Sequence, residues 1–129
     1  MINIWAILVG VVIYMILGML WYNPILFGDV WMKMLNFKKE ELEMKPLDMV
    51  YTIIGAILGT FFIAFIFELM GDYTFLKGLG LGAILAGIIF TTSSSQVIYS
   101  KKHWKLFLID AGYHATSVLL ISMLLGLWN

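Results

Sequence analysis

Asp110 and His114 stand four residues apart in the otherwise apolar stretch from Leu106 to Trp128. On a helix that spacing puts both side chains on one face, and the same stripe continues through Tyr113 and Ser117. A carboxylate beside an imidazole can bind or relay a proton, hold a cation or hydrogen-bond a small solute. If Asp110 accepts from one ring nitrogen, it also fixes the tautomer of His114. On the other side of Lys102, at a similar distance along the chain, lies the run Thr91-Thr92-Ser93-Ser94-Ser95-Gln96. A short hairpin would bring this run to the depth of Asp110. Six consecutive polar residues cannot share one helix face, and hydroxyls can bond their own helix carbonyls. Thr91, Ser94 and Ser95 are the candidates to turn toward the carboxylate. Trp21, Tyr22 and Asn23 offer an indole N–H, a phenol and an amide at the same end of the molecule.

Other chemistries fit less well. Asp110 and His114 supply two ligands, which do not complete a tetrahedral or octahedral sphere. A metal site therefore needs a two-fold dimer, and no metal ligand is assigned. Ser94 or Ser95 with His114 and Asp110 would make a hydrolytic triad only by geometry, since the order is no known local signature. His103 sits among lysines at a water boundary. The run Gly78-Leu79-Gly80-Leu81-Gly82 opens an apolar span instead of linking a strand to a helix, so it is packing and not a phosphate loop. No catalytic residue is assigned, and no cofactor is identified.

Membrane helices carry these groups. The chain has 129 residues, of which 62% are hydrophobic and 12% charged, far from the soluble average. Lysines and carboxylates balance to a net charge of zero, without the basic surplus that nucleic acid demands. A span needs roughly 20 mostly apolar residues, and four stretches qualify. The reading is an all-α polytopic membrane protein, a single domain over 1–129, with helices at about 4–22, 47–70, 76–100 and 104–128. Asp110 lies six residues beyond Trp104, roughly 9 Å inside the interface at about 1.5 Å per residue. An aspartate at the bilayer centre costs about 2.5–3.5 kcal/mol, so Asp110 must face the bundle.

Lysines in short loops are retained on the cytoplasmic side. Lys33, Lys38, Lys39 and Lys45 fall between the first two spans and Lys101, Lys102 and Lys105 between the last two, against Lys77 alone on the other side. The pattern predicts cytoplasmic loops at 23–46 and 101–103 and both termini outside. In the first loop, Asn23-Pro24 ends a helix. Val30, Trp31, Met34, Leu35 and Phe37 recur near helical spacing, which predicts a short interfacial helix. Lys38 to Glu43 reads as a solvated, charge-dense segment. Small residues at spacing four, Gly55/Gly59 and Gly78/Gly82/Ala86, predict close helix contacts. Four short helices enclose little space, so a homo-oligomer is expected. The dispersed methionines are core filler.

Two segments carry a family likeness: Leu20-Trp21-Tyr22-Asn23-Pro24-Ile25-Leu26-Phe27-Gly28 with Trp31-Met32, and Leu108-Ile109-Asp110-Ala111-Gly112-Tyr113-His114. They resemble the paired signatures of the domain of unknown function 1761 family, small bacterial membrane proteins with four helices and a long first loop. The resemblance implies a bacterial inner (plasma) membrane location, and Asn23 stands where many relatives are expected to have serine. It implies no activity. The functional expectation is an uncharacterised integral membrane protein that binds or moves a proton, cation or small solute at Asp110 and His114. The alternatives are a structural or accessory protein that docks a partner through its first loop, and an intramembrane metal or haem protein.

Overall fold

A computed structural model describes residues 2–36 and 45–128. The segment Lys38 to Glu43 and Phe37 lie outside the described residues. The described chain is all-helical, with α1 (Ile4–Trp21), α2 (Gly28–Leu35), α3 (Pro46–Met70), α4 (Phe75–Ser93), α5 (Ser95–Ile98) and α6 (Trp104–Leu127). Among the described residues, four helical stretches are long and apolar enough to cross a membrane: α1, α3, α4 continued by α5, and α6. The protein is therefore an integral membrane protein in contact with lipid.

Local chemistry sets the helix ends. Asn3 Oδ1 accepts from the backbone N–H groups of Trp5 and Ala6, which caps α1. Pro46 occupies the first turn of α3, where its missing N–H costs nothing. Gly71 closes α3 in the left-handed conformation at φ 65°. The connection from α1 to α2 is a tight loop. The Asn23 carbonyl accepts from Leu26 N and Gly28 N, and its side chain accepts from Ile25 N. A Cβ on Gly28 would lie 2.3 Å from the Tyr22 carbonyl oxygen, so only glycine lets the chain close here. The short α2 follows with an apolar face and Lys33 near its end.

The last span forms the axis of the bundle. α6 packs along α4 most extensively and also meets α1 and α3. The α4–α6 seam is built from glycine: a Cβ on Gly78 would stand 2.5 Å from the Ser122 carbonyl, and one on Gly82 would stand 2.9 Å from Leu119 Cα. Close backbone approach of this kind supplies van der Waals packing where lipid gives no hydrophobic drive between helices. Gly55 and Gly59 differ from the sequence expectation. A Cβ on either meets nothing within 4 Å, and both line a groove between α3 and α4 instead of a helix seam. The apolar core, with Ile7, Ile63, Phe67 and Ile121, lies where α1, α3 and α6 converge.

Candidate functional site

The two signature segments meet. Trp21 Nε1 donates to the Ile109 carbonyl at 2.9 Å, and Tyr22 Oη donates to Asp110 Oδ1 at 2.7 Å. Gly112 leaves room for the indole, since a Cβ there would stand 3.2 Å from Trp21 Cζ2. Tyr113 packs edge-on against Tyr22, with ring centroids 5.5 Å apart, and donates to the Tyr14 carbonyl at 2.7 Å. Its hydroxyl sits against Gly18, where a Cβ would come within 2.8 Å. Both contacts pin the end of α1 to the first half of α6.

Asp110 has a second partner. Lys102 Nζ lies 2.7 Å from Asp110 Oδ2, and both side chains are about three-quarters buried, with 22% and 27% of their surface exposed. The connecting loop aims this lysine inward. Lys101 sits in the left-handed region at φ 52°, which reverses the chain, and Lys102 N donates to the Gln96 carbonyl. Lys102 Nζ also lies 3.3 Å from Gln96 Oε1. A lysine stem that reaches back from the interface covers apolar surface while its ammonium meets the carboxylate.

With Tyr22 and Lys102 on the two carboxylate oxygens, His114 is left to a different neighbour. No Asp110–His114 hydrogen bond is present among the described residues. The imidazole Nδ1 stands 3.5 Å from Tyr14 Oη, and the ring stacks on Tyr14 with centroids 6.2 Å apart. The shared helix face brings Asp110 and His114 to one cavity without joining them.

That cavity measures about 320 Å³ and is lined by Tyr22, Ser93, Gln96, Lys102, Asp110 and His114, with Phe107 and Ala111. The polar run on α4 and α5 contributes Ser93 and Gln96. Thr91 and Thr92 bond carbonyls one turn back, at 2.9 Å to Gly87 and 2.6 Å to Ile88. Ser94 and Ser95 bond the Thr91 and Thr92 carbonyls at 2.7 and 3.2 Å. These local bonds compete with the helix ladder and accompany the break at Ser94 between α4 and α5. Thr91, Ser94 and Ser95 are exposed and do not line the cavity. Ser117 is buried and donates to the Tyr113 carbonyl at 2.8 Å. Asn23 builds the loop described above, and Trp21 serves the α1–α6 contact.

Sequence reasoning missed Lys102 and Tyr14 as members of this region. Lys102 was legible as a loop lysine, and its inward path depends on the left-handed Lys101. Tyr14 stands on α1 one helical turn before Gly18, and only the packing of α1 on α6 reveals it. Among the described residues no three His, Cys, Asp or Glu side chains gather as a metal-binding group.

The model of the family described as Protein of unknown function (DUF1761) matches residues 5–126, nearly the whole chain. No curated protein and no solved structure matches.

Proposed function

The chain belongs to the DUF1761 family of proteins of unknown function, and from the geometry of its site we propose that it binds a proton or a small polar solute within the membrane. The observation that carries this reading is the partly buried Asp110–Lys102 ion pair on the wall of a 320 Å³ cavity that His114 also lines. Ionisable groups inside a span are expensive and are retained for binding or relay. A cation would have to displace Lys102 from Asp110, so the ion pair favours a solute with hydrogen-bonding groups, and a proton binds only where it outcompetes the lysine. A proton taken up by Asp110 breaks the pair and leaves the Lys102 ammonium, still charged, with Gln96 Oε1, its second acceptor. Tyr22 and His114 then present a hydroxyl and an imidazole to the space. The proposal places the lysine-rich end, with Lys101, Lys102 and Lys105, in the cytoplasm and both termini outside, in a bacterial plasma membrane; the lysine distribution supports this.

The test is proton uptake and solute flux in reconstituted vesicles with wild type, Asp110→Asn and His114→Ala. Loss of either signal in a well-folded Asp110→Asn supports the reading. Unchanged uptake and flux in that variant sink it. A second reading, a structural lock, draws on one observation: Trp21 and Tyr22 both hydrogen-bond α6 at Ile109 and Asp110. Under that reading Asp110→Asn lowers thermal stability and moves no proton or solute signal.

A further inference from the structure

The polar cavity continues into an apolar groove. Ser93 and His114 line both. The groove measures about 470 Å³ and lies between α3 and α4 over α6, walled by Gly55, Gly59, Ile63, Ile89 and Val118 among others. Its rim residues Phe62 and Ile88 are exposed, so it opens sideways toward the space that lipid fills. From Gly55 to Ile66 it follows α3 for roughly 16 Å at about 1.5 Å per residue. The two glycines keep it open. A Cβ on Gly55 or Gly59 meets nothing within 4 Å, in contrast to Gly78 and Gly82, which are pressed against α6.

We infer that the ligand of this site is a single-chain amphiphile taken from the bilayer, with an uncharged hydrogen-bonding head in the Asp110–Lys102 cavity and its chain in the Gly55/Gly59 groove. The inference rests on the binding reading above and names its substrate class. The order of surfaces along the bundle matches the occupant: ion pair near the lysine-rich end, His114 at the junction, hydrocarbon walls beyond. The head is uncharged because the cavity is already neutral. Asp110 and Lys102 compensate each other at 2.7 Å, and a further charge would stand unpaired in a medium where desolvation is costly. Hydroxyl or carbonyl groups, as in monoacylglycerols and long-chain alcohols, find donors and acceptors in Gln96, His114 and Tyr22. The chain enters sideways through the α3–α4 opening and needs no aqueous path.

The experiment is photolabelling in phosphatidylcholine vesicles with a long-chain monoacylglycerol that carries a diazirine on its chain. Wild type, Gly59→Leu and Asp110→Asn are labelled, and the matching diazirine fatty acid is run beside it. Gly59→Leu fills open space, so its thermal stability should match wild type while labelling falls about tenfold, a loss of about 1.4 kcal/mol in binding. The expected label falls on residues 55–66 and 85–93 and also weakens in Asp110→Asn. Label that ignores Gly59 overturns the groove as the chain site, and label that ignores Asp110 overturns the cavity as the head site. Equal labelling by the fatty acid overturns the uncharged head. Because the chain has no cysteine, an intermolecular disulfide formed by Gly59→Cys under oxidation shows a second chain as occupant and overturns the inference. Proton uptake and water-soluble solute flux in Asp110→Asn are read separately, so the binding reading can stand when the amphiphile falls, and the reverse.

Discussion

Tyr22 Oη donates to Asp110 Oδ1 at 2.7 Å across 88 positions of sequence, and the neighbouring residues Trp21 and Ile109 are joined by an indole hydrogen bond. Two adjacent pairs in the same register fix both the height and the rotation of α1 against α6. The carboxylate in turn holds Lys102, so the bond that assembles the bundle also shapes the cavity.

This coupling is measurable. Hydrogen bonds between membrane helices average about 0.6 kcal/mol and reach about 1.7 kcal/mol, and bonds to charged acceptors are the stronger ones. A double-mutant cycle with Tyr22→Phe and Asp110→Asn, read by reversible unfolding in detergent micelles, should give a coupling of about 1–2 kcal/mol. A coupling of zero would mean that the two groups do not meet.

Lys102→Met strips Asp110 of its counter-ion and should cost about 1–3 kcal/mol, less than a fully buried pair because both side chains keep part of their surface exposed. Adding Asp110→Asn to Lys102→Met should recover most of the loss, since it removes the orphaned charge. Thermal unfolding of the single and double variants decides the matter: a double variant less stable than both singles would show that the ion pair is not the main bond at this site.

The loop residue Lys101 sets the path of Lys102. A non-glycine residue in the left-handed region costs about 1–2 kcal/mol, and Lys101 holds φ 52°. Lys101→Gly should be neutral or stabilising by up to about 1 kcal/mol. Lys101→Val, with a branched Cβ, should destabilise by a similar amount or more and uncouple Lys102 from Asp110. The check is whether Lys101→Val reduces the further effect of Lys102→Met; full additivity of the two would refute the positional role.

Much of this molecule was legible in its sequence because membrane helices are written in long apolar runs. The four spans, the short helix after Gly28 and the all-helical class follow from hydropathy and helical spacing alone. Spacing four also placed Asp110 and His114 at one cavity. What spacing could not supply was the choice of partners. Asp110 is bonded by Tyr22 and by Lys102, the latter turned inward by a backbone reversal that no side-chain pattern encodes. Thr91, Ser94 and Ser95 looked like site hydroxyls, but their own helix carbonyls lie closer than any other acceptor. The glycine pairs read alike, yet Gly78 and Gly82 are packed while Gly55 and Gly59 are open. That difference is set by which helices become neighbours.

The glycines therefore separate under substitution. Gly55→Ala places a methyl group in open space on α3 and should stabilise the helix by up to about 1 kcal/mol. Gly28→Ala drives a Cβ to 2.3 Å from the Tyr22 carbonyl and should cost about 1–3 kcal/mol through distortion of the loop that carries Tyr22. Gly78→Ala faces the Ser122 carbonyl at 2.5 Å and should destabilise by a comparable amount. Equal stability for Gly55→Ala and Gly78→Ala would contradict the helix arrangement.

Ser122 gives the last test of the α4–α6 seam. Its hydroxyl is buried with no hydrogen-bond partner among the described residues, and its side chain has 0% exposure. A buried polar atom without a partner forfeits about 1–3 kcal/mol of desolvation. Ser122→Ala removes the oxygen and keeps the Cβ, which would stand 3.2 Å from a Cβ built on Gly82. The variant should be as stable as wild type or gain up to about 1 kcal/mol in thermal unfolding, whereas Ser122→Val should lose stability because the seam has no room for added volume. Destabilisation by Ser122→Ala would instead mean that the hydroxyl has found a partner, and that the seam closes differently from the packing described above.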